Sequence, residues 1–192
     1  MTEAYFKDGA PEAGTGFPFL READTALAAY LTTANAQSRL GNLVTYLGAV
    51  GQAGITVRAH RYEDEFILSE SPTSFPLVYI ASWIANIRDF GAASFTPTVN
   101  TRLTVWTHQP NIQDSIPQCV AVCGALASLL KQTLFDGSAT EWSTFYSNAY
   151  PERTVNNVTM EGAPILVRNR EGSLTSIARG RVLTTWWHKE DL

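Results

Sequence analysis

A strand that leads directly into a helix, between Thr96 and Phe135, constrains the fold of this chain more than any other feature. From Val99 to Thr107, small and apolar side chains occupy every second position, which is the period of a strand with two unlike faces. The alternate positions form a polar and aromatic face: Asn100, Arg102, Thr104, Trp106 and His108. This pattern predicts a strand at an exposed edge of a sheet.

The helix after this strand is predicted from its cap and its period. Asp114 or Ser115 is the expected N-cap, and Pro117 falls in the first turn, where a missing N–H costs no hydrogen bond. The expected buried stripe is Ile116, Cys119, Val120, Cys123, Leu126, Leu130 and Leu134. The other face is small and nearly uncharged: Gln118, Ala121, Ala125, Ser128 and Gln132. Such a face favours contact with another protein over free solvation, so we expect assembly and no catalysis.

The composition points in the same direction. Charged residues make up 17% of the 192 residues, below the usual share of about 25%, which suggests that part of the surface is covered by partners. The net charge of −4 excludes an extended basic surface for wrapping nucleic acid. No apolar run approaches the length of about 20 residues that spans a bilayer. Two cysteines four residues apart form no disulfide framework, so we expect synthesis in a reducing cytoplasm.

The order of predicted elements indicates an α+β fold, with helices packed on one side of a mixed or antiparallel sheet. Residues 1–18 read as an extended N-terminal arm, and residues 19–192 as a single α+β domain. A helix is expected over 21–50 with a break across 36–41, and the apolar run 76–86 predicts a strand inside the sheet, covered on both faces. The remaining expected elements are strands over 55–62, 153–160, 165–169 and 176–187, turns at 162–164 and 171–172, and a short helix over 141–147.

The sequence offers few residues for chemistry, and we predict no catalytic, cofactor or metal site. Cys119 and Cys123 face the same way, but the nearby sequence holds no further zinc ligand, so we interpret them as small buried side chains. His60, His108 and His188 have no recognisable nucleophile or orienting carboxylate close in sequence. A catalytic arrangement assembled in space by one of these histidines, as in a small cytoplasmic hydrolase, remains the alternative.

The order of elements over about residues 20–135 resembles the tail terminator proteins of long-tailed bacteriophages and the related neck and tail-completion proteins. A long N-terminal helix and an acidic-tipped hairpin precede the apolar strand that opens at residues 75–80 (Phe-Pro-Leu-Val-Tyr-Ile). The strand at 101–107 (Thr-Arg-Leu-Thr-Val-Trp-Thr) then leads into the helix at 116–135. The resemblance implies a structural subunit of the virion tail, with no catalytic motif, that forms a hexameric ring on the end of the tail tube.

The same resemblance implies the partners: further copies of the chain, the tail tube protein, the head–tail connector and, in a contractile tail, the sheath. DNA would pass through the ring without specific binding, and the acidic turn Glu63, Asp64 and Glu65 would face the lumen and repel its phosphates. The expected partner-contacting residues are Phe17, Arg102, Trp106, His108, Gln118 and Ala125. Another virion part, such as a head-completion stopper, a sheath-associated protein or a baseplate protein, is the nearest alternative.

Overall fold

The computed structural model of the protein describes residues 18–47, 54–59, 75–89, 94–131, 153–169, 171–188 and 190–191. Three helices lie in these ranges: α1 (Pro18–Leu31), α2 (Ala34–Tyr46) and α3 (Ile112–Leu130). The strands in these ranges are β1 (Thr56–Ala59), β2 (Leu77–Asp89), β3 (Ser94–His108), β4 (Arg153–Met160), β5 (Ile165–Arg168), β6 (Leu174–His188) and β7 (Glu190–Asp191). Of the arm predicted over residues 1–18, Pro18 is the first residue of α1 and the rest lies outside the described residues. The acidic turn and the short helix over 141–147 also lie outside them.

The described strands form one mixed sheet in the order β1-β2-β3-β6-β4. Strand β1 pairs with β2 in parallel, whereas β2, β3, β6 and β4 pair with their neighbours in antiparallel fashion. Strand β5 continues the edge beyond β4 and pairs with the first half of β6, and β7 pairs with the start of β3. The predicted mixed sheet is therefore confirmed.

The prediction that β3 is an edge strand is wrong, because β3 lies at the centre of the sheet. It pairs with β2 on one side and with β6 on the other, and Leu103 faces Ile80 and Val182 across the two ladders. An alternating pattern separates the two faces of a strand, but backbone pairing at both of its edges leaves no mark on that pattern. The interior position predicted for β2 is confirmed, since residues 76–82 are all buried.

The three helices cover one face of the sheet, which confirms the α+β class. Their inward side chains and those of alternate strand residues form one apolar core, in which Leu27, Leu40 and Leu126 are each no more than 1% exposed. The other face of the sheet carries a smaller buried cluster: Leu77, Tyr79, Trp106 and Ile177. The sheet is thus buried on both faces along its central strands.

The helix boundaries differ from those predicted. The break in the first helical region falls at residues 32–33, before the predicted 36–41, because the Thr33 hydroxyl accepts a hydrogen bond from the Ala36 N–H and so caps α2. Helix α3 begins at Ile112, so Pro117 lies inside it and Ser115 is not a cap. Ser115 is instead buried, and its hydroxyl donates to the carbonyl oxygen of Ser176 in β6. The Asp114 carboxylate accepts a hydrogen bond of 3.1 Å from the Asn111 side chain.

A buried chain of hydroxyl groups joins three strands to α1. The Ser82 hydroxyl donates to the Asp24 carboxylate and lies 2.6 Å from the Thr101 hydroxyl oxygen. The Thr184 hydroxyl donates to the Thr101 carbonyl oxygen at 3.3 Å. Asp24 is only 5% exposed, and these bonds offset part of the free-energy cost of burying its polar group. These hydrogen bonds link α1 to the central strands of the sheet.

Candidate assembly surfaces

The inner side of α3 packs on the sheet through small side chains. Cys119 and Cys123 are fully buried against Gly180 of β6, where a Cβ atom would lie 2.5 Å from the Cys123 sulfur and 3.0 Å from the Cys119 sulfur. The sulfurs thus occupy the space above a residue that has no side chain. The pKa of the Cys123 thiol lies far above its ordinary value, chiefly because of its side-chain hydrogen bond with Cys119 and also because the thiol is buried. The interpretation of both cysteines as buried small side chains is confirmed.

Two of the predicted partner-contacting residues on α3 are inside the protein. Ala125 is fully buried and Gln118 is 4% exposed, because α2 packs against α3 and the sheet lies beneath it. Small side chains on this face allow the close approach of a helix from the same chain. Val120, predicted to point inward, is 44% exposed. The buried part of this face, Gln118, Ala121 and Ala125, therefore stabilises the fold, whereas Ser128 of the same face and Val120 are exposed.

Exposed apolar side chains mark a surface on the helical layer, which we call the helix patch and define as Tyr46, Leu47 and Val120. Tyr46 is 87% exposed and Leu47 is 46% exposed, at the end of α2. Leu47 reaches Gly124, where a Cβ atom would lie 3.3 Å from its Cδ1 atom, and Val120 is one helical turn before Gly124 on the same side of α3. Helices α2 and α3 each carry a single charged residue, Arg39 and Asp114.

A second group of exposed apolar side chains follows the outer edge of the sheet. Met160 ends β4, Ile165 begins β5 and Leu174 begins β6, with exposures of 40%, 50% and 49%. We call these three residues the edge patch. Residues that pair directly across two strands project on the same face of the sheet. Met160 pairs with Val182, whose side chain is in the core beneath the helices, so Met160 is on the helix-covered face. Ile165 pairs with Arg179, which contacts Trp106 on the opposite face, so the edge patch includes side chains from both faces.

The sequence offered a signal for the edge patch that the prediction did not use. Met160 and Ile165 flank the turn at 162–164, and Leu174 follows the turn at 171–172. Both turns are confirmed by positive φ angles at Gly162 and Gly172, a conformation that glycine adopts at no steric cost. Strand residues beside such turns have few covering neighbours, so apolar side chains there are candidates for contacts outside the chain.

The face of the sheet opposite the helices pairs arginine with aromatic side chains. The Arg102 guanidinium lies 4.8 Å from the centroid of the Trp83 ring, and its Nε atom is 2.8 Å from the Glu161 carboxylate. The Arg179 guanidinium lies 5.8 Å from the Trp106 ring centroid. Both arrangements fall within the range of cation–π attraction. Arg102, a predicted partner-contacting residue, is partly exposed, and its guanidinium contacts Trp83 and Glu161 of the same chain.

Trp106, predicted to contact a partner, is instead buried on the face of the sheet opposite the helices. It is 2% exposed, and Tyr79 packs against it edge-on with ring centroids 6.2 Å apart. Its indole Nε1 atom, like the amide Nε2 atom of Gln118, finds no hydrogen-bond acceptor in the part of the chain that the structure describes. Trp106 therefore offers no surface to a partner.

His108, another predicted partner-contacting residue, is half-buried, with its ring centroid 5.8 Å from that of Phe75.

Several predicted residues cannot be placed in this arrangement. Phe17, Glu63, Asp64, Glu65 and His60 lie outside the described residues. Within the described ranges, no group of three or more His, Cys, Asp or Glu side chains is placed to hold a metal ion. None of the helices described combines the length and apolar character that a membrane crossing requires.

Comparison of the chain with protein-family models and with curated proteins gives no match.

Proposed function

We propose that this chain is a structural protein of a tailed bacteriophage, which forms the terminator ring that caps the tail tube and joins it to the head–tail connector. In this role the chain assembles with further copies of itself, with the tube and the connector, and with the sheath where the tail contracts. It makes and breaks no covalent bond. DNA passes through the ring without specific binding.

The helix patch carries the proposal. Tyr46, Leu47 and Val120 expose apolar side chains on a helical layer with few charges, and a group of exposed apolar side chains on a folded protein is a candidate interaction site. Depletion of charged residues is typical of the centre of protein interfaces. The low overall share of charged residues, 17%, agrees with a subunit that works in an assembly.

The fold supports the same proposal at a coarser level. Helical residues near the start of the described chain, the apolar strand β2, and strand β3 leading into α3 follow in the order on which the resemblance depends, although the expected long helix is divided into α1 and α2 and the acidic hairpin lies outside the described residues. Such agreement between element orders is an analogy between folds, and function depends on the surfaces that the fold presents.

The test is a count of subunits in the purified full-length protein. Native mass spectrometry should give one closed oligomer, and negative-stain electron microscopy should show rings with a central opening. Added to purified tail tubes, the rings should cap one end and stop further growth of the tube. A protein that stays monomeric across the accessible concentration range, in the presence and absence of tubes, would contradict the proposal. Rings that bind elsewhere in the particle would assign the chain to a stopper, sheath-associated or baseplate position.

A further inference from the structure

We draw no further inference here: the strongest candidate, the helix patch on α2 and α3 together with the edge patch along β4, β5 and β6, carries none, because nothing in the part of the chain that the structure describes shows what covers either surface.

Discussion

The inner and outer sides of α3 are built from similar small, uncharged residues, yet they meet different surroundings. Cys119 and Ala125 on the inner side are fully buried, whereas Val120 on the outer side is 44% exposed. Neither polarity nor side-chain size separates the two sides. The separation comes from α2 and the sheet, which pack against α3 and leave one strip of it uncovered.

A low density of charge on α3 therefore has two uses in this molecule. On the covered sides of α3 it permits close packing within the chain, and on the uncovered side it leaves a surface suited to another chain. Substitutions on the inner side should therefore lower the free energy of unfolding, whereas those on the outer side should affect assembly and leave the fold intact.

The sharpest test of this difference compares Leu126→Ala with Val120→Ala. Leu126 is fully buried, and its truncation should lower the free energy of unfolding by about 2–5 kcal/mol through lost burial and the cavity left behind. Val120→Ala should change it by less than about 0.5 kcal/mol in the dissociated protein, because the side chain is largely in water. Urea unfolding of both variants at low protein concentration measures the difference. Equal losses would show that α3 has no distinct outer side.

The contact between α3 and β6 gives the next largest effect. Gly180→Ala should lower the free energy of unfolding by about 1–3 kcal/mol, because the added methyl group meets the sulfurs of Cys123 and Cys119 at 2.5 and 3.0 Å. Removal of the nearer sulfur should relieve part of this strain, so the double variant Gly180→Ala/Cys123→Ala should lose less than the sum of the two single losses.

A double-mutant cycle measured by urea unfolding checks this coupling. Strictly additive losses would mean that α3 moves away from the sheet to admit the methyl group, and the close packing of the inner side would then not be a constraint on the fold.

Much of the fold could be predicted from the sequence, because it depends on local pattern. The strand at β2, its burial on both faces and the turns at Gly162 and Gly172 all follow from side-chain period and backbone preference, and the structure confirms them. The central position of β3 could not be predicted in the same way. Its second partner, β6, lies about eighty residues away in sequence, as the pairing of Thr101 with Thr184 shows, and no local pattern records a distant partner.

The surfaces were harder to predict for the same physical reason. Trp106 is on the polar face of its strand, but Tyr79 and Arg179 from neighbouring strands pack against it. Gln118 and Ala125 are buried in a helix that packs against α2 and the sheet, both formed by distant parts of the sequence. Exposure depends on what covers a residue, and periodicity describes only how residues are arranged within one element.

The buried Cys123 thiol on the inner side of α3 predicts that stability depends on pH. The pKa of the Cys123 thiol is raised in the folded protein by its hydrogen bond with Cys119 and by burial. Above the ordinary thiol value of 9.0, the unfolded chain therefore releases a proton that the folded chain retains, and ionisation favours unfolding. The stability that this thiol contributes is present below pH 9.0 and is lost as the pH rises.

The loss approaches about 1.4 kcal/mol per pH unit for one thiol. Between pH 8 and pH 10 the wild-type protein should therefore lose about 1.4 kcal/mol more than Cys123→Ala, which lacks the titrating group, when both are unfolded in urea. The comparison removes the contributions of lysine and tyrosine, which the two proteins share. Parallel pH profiles would show that the thiol is not held protonated by the contact between α3 and the sheet.

The smallest expected effect concerns the face of the sheet opposite the helices. Arg102 and Glu161 form an ion pair at 2.8 Å with side chains 32% and 28% exposed, and pairs with this much access to water contribute about 0.2–1 kcal/mol. Glu161→Gln should lower the free energy of unfolding by that amount at low salt, and by less at 1 M salt, where screening acts over about 3 Å. Arg102→Ala should cost more, because the guanidinium also lies over the Trp83 ring. A loss on Glu161→Gln that matches Leu126→Ala would mean that this face is as tightly closed as the inner side of α3, and the contrast between covered and uncovered surfaces would fail there.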